Sequence, residues 1–491
     1  MDARRATAVL RRGVMRCRLL TMTAVGMAGA LAACTVGPNY VRPQVDTPAA
    51  FKEAAEWKQA RPGDDRVRDE WWRLFNDPQL NALEARVSIS NQNIIQAEAQ
   101  YREARALVRA ARSAYFPTVT VGAAVTRSHA PSDQSVPTSN YLLPADFTWE
   151  ADVWGRIRRT VEAGRANAQA SAADLESTRL SAQSDLAQDY FQLRALDAQK
   201  QLLDSTVVAY QKTLELTRDR FHSGVASKSD VLQAETQLQT TQAQAIDVGV
   251  QRAQTEHAIA LLIGTPASSF SLAGAPLMAV PPVIPIGIPS ELLERRPDIA
   301  AAERLVAAAN AQIGVAVAAY FPTITLNASG GFQSSSWSDW LTWPMRFWSI
   351  GPSISETVID GGLRGAQTDQ ARAAYDATVA GYRQNVLTAF QEVEDNLAAL
   401  RILEEEAKIQ DEAVKAAGQS VTLTIDQYKA GIISYLNVVT AQTIELNNER
   451  SAVSIMAGRM SASVLLIKAL GGGWNTAALL SMKGRMSGQR Q

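Results

Sequence analysis

Ala114-Tyr-Phe-Pro-Thr118 recurs as Ala319-Tyr-Phe-Pro-Thr323, and each copy closes an Ala-rich run and opens onto alternating apolar residues. Proline cannot continue a helix and biases the residue before it toward extended backbone, so each copy predicts a helix-to-strand corner. The repeat does not stop there. LRAL at 193–196 returns as LRIL at 400–403, and Gly224-Val225-Ala226-Ser227 returns as Gly431-Ile432-Ile433-Ser434. Val231 and Ala234 likewise return as Val438 and Ala441, at offsets drifting only from 205 to 207. The chain is an internal duplication with short insertions between matched segments.

Each half carries the same order of elements. An Ala-rich helical stretch, 79–113 or 290–318, ends at the corner; two strand-like segments follow. A long helical stretch comes next, 156–222 or 363–429, then a Gly-containing tip and a return helix at 227–263 or 434–470. No Gly or Pro interrupts Arg165 to Ser223, and no Pro follows Pro352. Sixty-seven residues at the α-helical rise make about 100 Å, longer than any single globular core is thick. Leu175, Leu186, Leu193, Leu196 and Leu203 sit among Ala, Gln, Ser and Asp residues, which gives narrow coiled-coil-like seams with wet faces between them.

The strand-like segments alternate with period two. In DFTWEADV at 146–153, Asp146, Thr148, Glu150 and Asp152 share one parity and Phe147, Trp149, Ala151 and Val153 the other. TVTVGAAV, TITLNAS and FWSIGPSISET repeat the pattern, and Trp149, Trp154, Trp337, Trp340, Trp343 and Trp348 gather at strand ends. A half-buried sheet of a soluble domain would alternate in the same way, but neither half offers an apolar helix to cover it. Alternating segments of about ten residues bordered by aromatics are what a membrane β-barrel shows. Four strands cannot close a barrel, and open edges in lipid leave unpaired backbone groups. Two or more copies must therefore share one barrel.

The N-terminus reads as an export signal. Arg4, Arg5, Arg11, Arg12, Arg16 and Arg18 precede the 15-residue apolar run LLTMTAVGMAGALAA, too short for a comfortable membrane span. It ends in LAAC, where Leu31 and Cys34 resemble a bacterial lipobox; the plainer reading is an ordinary signal with an adventitious Cys. Cys17 lies within the removed part, so Cys34 would be the one remaining thiol, with no disulfide framework. Thr35, not Asp, follows the Cys, which by likeness to lipoprotein sorting favours the outer membrane.

Composition excludes other classes. Forty-eight Lys and Arg balance 49 Asp and Glu for a net charge of −1, so no basic surface for nucleic acid is expected. His129, His222 and His257 are far apart and show no metal-ligand spacing. GVASKS at 224–229 lacks the second Gly of a phosphate loop, and its repeat copy GIISYL has no Lys. Gly471-Gly472-Gly473 ends a helix outside any dinucleotide frame. No catalytic constellation or cofactor is expected.

The lipobox continuing as CTVGPNYVRP, the stretch ELLERRPDIAAAERLVAAANAQIGVAVAAYFPTITL at 291–326, the duplication, and LLIKALGGGW at 465–474 together resemble the TolC-like outer-membrane factors. The likeness is to their lipoprotein branch, which serves resistance-nodulation-division (RND) efflux pumps. It implies a mainly α fold with a membrane β-barrel, built as a homotrimer. Four strands per chain would make a 12-stranded barrel continuous with a long periplasmic helical barrel. The parts would be a signal peptide at 1–33, a lipid-anchored segment at 34–77, repeats at 78–284 and 285–474, and a tail at 475–491. The implied function is a passive exit duct for drugs, solvents or other toxic small molecules, without catalysis and with no cofactor beyond a palmitate-type lipid on Cys34. Its implied partners are a periplasmic membrane-fusion adaptor, an inner-membrane RND transporter and outer-membrane lipid.

Site residues follow from that resemblance. Relatives latch the periplasmic end through an Asp of the first hairpin and a Tyr of the second, positions held here by Asp230 and Tyr428. Asp230 also suits a first-turn acid on the helix starting near Ser227. The narrowest ring in several relatives is acidic; Asn437 and Thr440 stand there, so a neutral or apolar gate at Leu436 is expected instead. The tips Gly224, Val225, Ala226, Ser227 and Gly431, Ile432, Ile433, Ser434 would meet the adaptor, although each Gly also suits a plain helix end. Asp146, Glu150 and Asp152 would face the lumen and favour cations modestly. Two other functions share parts of the pattern. A type I secretion channel has the same fold but is disfavoured by the lipobox; a lipid-anchored coiled-coil scaffold without a pore is disfavoured by the Trp-bordered strands.

Overall fold

The computed structural model describes residues 35–54, 70–129, 137–277, 280–284 and 292–474. The expected signal peptide 1–33, the acceptor Cys34 and the tail 475–491 lie outside the described residues. The helices and strands in chain order are α1 (Pro78–Ser90), α2 (Gln92–Ser113), β1 (Thr118–Val121), β2 (Ala124–Ser128), β3 (Thr138–Glu150), α3 (Arg156–His222), α4 (Lys228–Leu262), a single turn α5 (Leu292–Arg295), α6 (Pro297–Ala318), β4 (Thr323–Ser334), β5 (Arg346–Ser355), α7 (Leu363–Lys429) and α8 (Tyr435–Ala469).

The two halves repeat each other in length: α3 and α7 both have 67 residues, and α4 and α8 both have 35. The helical stretch expected over 79–113 is two helices, not one. Asn91 turns to extended backbone, and its Oδ1 accepts from the amides of Asn93 at 3.0 Å and Ile94 at 3.2 Å, starting a new helix. The second stretch is likewise divided, because Pro297 takes the first position of α6 after the short turn α5.

The chain divides into two compact units. The first comprises 1–44, 101–171 and 302–382 and contains one antiparallel sheet. β3 pairs with β1, β2 and β4, and β4 pairs with β5. Thr118 opposite Thr148 and Ala124 opposite Leu142 share one register, so β1 and β2 form a single stave. The ladder is interrupted at Pro144, which accepts from the Gly122 amide at 3.0 Å but has no N–H to return. The expected alternation through Val153 stops at Glu150, while β3 starts earlier than expected, at Thr138. Beside the sheet, Ala166 packs against Ala307 and Ala308 with Tyr40 over them, small side chains that let two helices approach closely.

The second unit comprises 45–100, 172–301 and 383–491, and its described secondary structure is helical. Trp71 meets Trp72 and Phe75 edge-on, and Phe75 lies 4.8 Å from Phe191. Leu196, Leu203, Ala245, Val248 and Leu446 form a second layer. Buried Asp197 accepts from Arg194 at 2.9 Å, Arg252 at 2.7 Å and the Ala275 amide at 3.1 Å, so its charge is fully compensated. Among the described residues one helix, Tyr435–Ala469, is long and apolar enough to cross a membrane. Its Val438, Leu446, Ile455, Val464 and Leu466 are instead buried in packing.

Candidate functional site

The sheet presents two chemically distinct faces. Cross-strand partners share a face, and one row reads Val119, Phe147, Ala328, Ile350; the next reads Val121, Ala145, Gly330, Trp348. The opposite face reads Thr120, Asp146, Ser329, Ser349, with Glu150, Thr325 and Ser353 beyond. Among the described residues nothing covers the apolar rows: Val121 is 73%, Trp348 77% and Ile354 69% exposed. The polar face is tied by its own bonds. Ser329 Oγ donates to Asp146 at 2.6 Å, and Thr325 and Ser353 hydroxyls lie 2.6 Å apart. Among the described residues β5 and the β1–β2 stave each pair on one side only, which leaves both edges of the sheet open.

The two corners form as the Pro predicts. The amide of Phe116 bonds the Ser113 carbonyl at 2.9 Å, that of Phe321 bonds Ala318 at 3.2 Å, and Thr118 and Thr323 open the strands. Each corner is also held by an indole: Trp149 Nε1 donates to Tyr115 O at 3.0 Å and Trp154 Nε1 to Pro322 O at 2.8 Å. Trp154 stacks on Phe321 with ring centres 4.7 Å apart.

Of the three acids expected to face a lumen, Asp146 and Glu150 lie on the polar face, but Asp152 lies past the strand. Its carboxylate accepts from the amides of Ile157 at 2.8 Å and Arg158 at 2.9 Å, and from the Arg158 side chain. It anchors the start of α3. Asp360 does the same for α7 through Arg364 at 2.5 Å, which holds its carboxyl below the usual range. Glu150 is paired with Arg156.

The segment after Cys34 is strapped to this unit. Arg159, almost fully buried, donates to the carbonyls of Val36 and Gly37 and to Asn39 Oδ1, and Asn310 donates to Pro38 O at 3.1 Å. Tyr40 donates to Glu303. Gly37 at φ +86° lies so close to Gly314 that a Cβ would stand 2.5 Å from its Cα. Sequence reasoning missed this strap; the lone Gly314 in an Ala-rich helix was its signal.

The hairpin tips belong to the second unit. Gly224 at φ +75° and Gly431 at φ +77° are left-handed helix ends. Val225 N bonds Arg220 O at 2.9 Å and Ile432 N bonds Gln427 O at 3.0 Å, as in a Schellman motif. Val225 and Ile432 are exposed at 63% and 72%. Ser227 caps α4, and its amide donates to Asp230 at 3.0 Å in a reciprocal capping box. At the repeat position Asn437 donates instead to Ser434 Oγ at 3.2 Å.

Asp230 and Tyr428 are not hydrogen-bonded to each other. Asp230 is occupied by its cap, and the Tyr428 hydroxyl is buried without a partner. The Tyr428 ring packs at 5.4 Å from Tyr435, beside Tyr210, Val231 and Leu238. Burial pushes the Tyr435 hydroxyl pKa up, with Tyr428, Tyr210 and Asp230 adding. Leu436, Asn437 and Thr440 fall on the exposed side of α8. Arg220, not singled out from sequence, lies over Tyr428.

This architecture defines an outer-membrane channel stave: an uncovered strand module with open edges, followed by paired long helices. The model of the outer membrane efflux protein family matches residues 76–265 and 288–472, and the chain belongs to that family. It is 32% identical over 467 residues to the toluene efflux pump outer membrane protein TtgF of Pseudomonas putida, covering 92% of this chain and 96% of that one. Among solved structures it resembles the outer-membrane channel OprN, at a TM-score of 0.84 and 32% identity over 90% of this chain and all of that one. It also resembles the open MtrE channel of Neisseria gonorrhoeae, at 0.81 and 28% over 90% of this chain and 98% of that one. The fold is TolC-like, and the function is efflux through an outer-membrane channel, a passive pore rather than an enzyme.

Proposed function

We propose that three copies of this chain close a 12-stranded barrel in the outer membrane and continue as a helical duct into the periplasm. The observation that carries this is the four-stave sheet whose apolar rows are uncovered and whose two edges are unpaired among the described residues. In lipid those edges need further strands, and a symmetric ring supplies them. A lipid on Cys34 anchors each chain, and the strap from Thr35 onward fixes its tether beside the Trp154 corner.

The duct receives drugs, solvents or similar toxic molecules from an inner-membrane RND transporter through a periplasmic adaptor. The toluene and solvent efflux roles named for its Pseudomonas putida relatives support an apolar cargo. The adaptor meets the exposed tips at Gly224 to Ser227 and Gly431 to Ser434. The periplasmic gate lies at the same end, around Asp230, Tyr428, Leu436, Asn437 and Thr440. Because Asn437 and Thr440 are uncharged, the narrow ring at their level is neutral and multivalent cations do not block it strongly.

The test is complementation. In a Gram-negative strain lacking its own exit duct, co-expression with a cognate pump and adaptor restores growth in toluene, and omission of any one component abolishes it. Restoration without the pump would contradict the reading.

A further inference from the structure

We propose that Arg220 is a clip that holds the second hairpin against the first within one protomer and so sets the resting state of the gate. The inference rests on the channel reading above. Arg220 stands in the last turn of α3, where its own carbonyl accepts from Val225 and Ala226 and fixes its backbone. Its side chain leaves the first hairpin. Nη1 donates to the Lys429 carbonyl at 2.7 Å, and the guanidinium lies over the Tyr428 ring at 4.8 Å.

The target is chemically apt. Lys429 ends α7, where the last carbonyls lack helical partners and carry the negative end of the helix dipole. The turn itself satisfies its neighbours: Asp426 O accepts from Ala430 N, Gln427 O from Ile432 N and Tyr428 O from Gly431 N. Lys429 O is left for the guanidinium. A cation over an aromatic face in a partly dry site adds attraction.

The Asp–Tyr latch suggested by resemblance is not formed, since Asp230 caps α4 and the Tyr428 hydroxyl is unpartnered. The polar attachment to Tyr428 comes from Arg220. The repeat position of Arg220 is Gln427, at the same offset of 207 as the tips, so the clip runs one way, from first hairpin to second.

The test compares full-length lipidated protein with R220A, R220Q and R218A in planar bilayers. Arg218 pairs with Glu235 inside the first hairpin, so its loss removes the same charge without touching the second. R220A is expected to raise mean conductance about five-fold, the population shift that loss of such a contact brings, while R218A stays at wild type. Should R220A fail to assemble, R220Q decides by the same comparison. Assembled R220A that conducts like wild type overturns the clip and leaves the channel reading standing; so does an equal rise in R218A. Silence of the wild type and every variant overturns the channel reading and the clip with it.

Discussion

Trp154 Nε1 donates to the Pro322 carbonyl at 2.8 Å, so the residue leaving β3 fastens the corner that starts β4. The same ring stacks on Phe321. Pro322 lies between the end of α6 at Ala318 and the start of β4 at Thr323, so the indole gives a carbonyl of the corner itself a partner. W154F keeps the stacking and loses the bond, at a cost of about 1 kcal/mol. W154A loses both, at about 2–3 kcal/mol, discounted from full core burial. Heating purified protein and following the assembled band on a gel checks the order: wild type above W154F above W154A.

Gly330 and Gly331 sit side by side in β4 but face different neighbours. A Cβ at Gly330 would meet Phe347 O at 3.5 Å, an ordinary contact, whereas one at Gly331 would overlap the Leu143 carbonyl. G330A assembles like wild type. G331A breaks the β3–β4 pairing and yields little assembled protein in outer-membrane fractions.

The strap responds to its two glycines unequally. G37A places a side chain at φ +86° and against backbone, so the strap cannot seat. At Gly314 the atoms nearest an added Cβ belong to the Arg159 side chain rather than to backbone, so G314A displaces that side chain at about 1–3 kcal/mol. Limited proteolysis near the N-terminus reports the difference, with G37A cut readily and G314A cut slowly.

Glu84 is buried in α1 with both carboxyl oxygens unpartnered, and burial pushes its pKa well above the usual range. The folded protein keeps its proton while the unfolded chain releases it. The stability lent by that proton is therefore complete below the ordinary carboxylate pKa and falls as pH rises toward the folded value. E84Q raises the melting temperature at pH 7.5 and leaves it unchanged at pH 4; thermal unfolding at both values checks this.

Much of this was legible from sequence because the decisive residues act locally. Pro117 and Pro322 stop helices wherever they stand, the 205 to 207 offset needs only counting, and the Pro-free runs at 156–222 and 363–429 became helices with those bounds. What was not legible depended on partners remote in sequence. Asp152 alternates with Glu150 like a strand residue, yet the α3 amides claim it. Asn91 looks like one more polar residue in a helix until its side chain caps the next one. Arg159 and Arg220 gain their roles from Gly37 and Lys429, 122 and 209 residues away, and no spacing rule reaches that far.

Copies of this chain close into one passive pore that consumes no nucleotide or other substrate. Single-channel recording on the purified, lipidated, size-selected oligomer tests it most directly. A three-chain species is expected to show discrete ionic conductance, without nucleotide and without strong block by multivalent cations. A species that binds lipid vesicles but never conducts, or that conducts as a single chain, would contradict it.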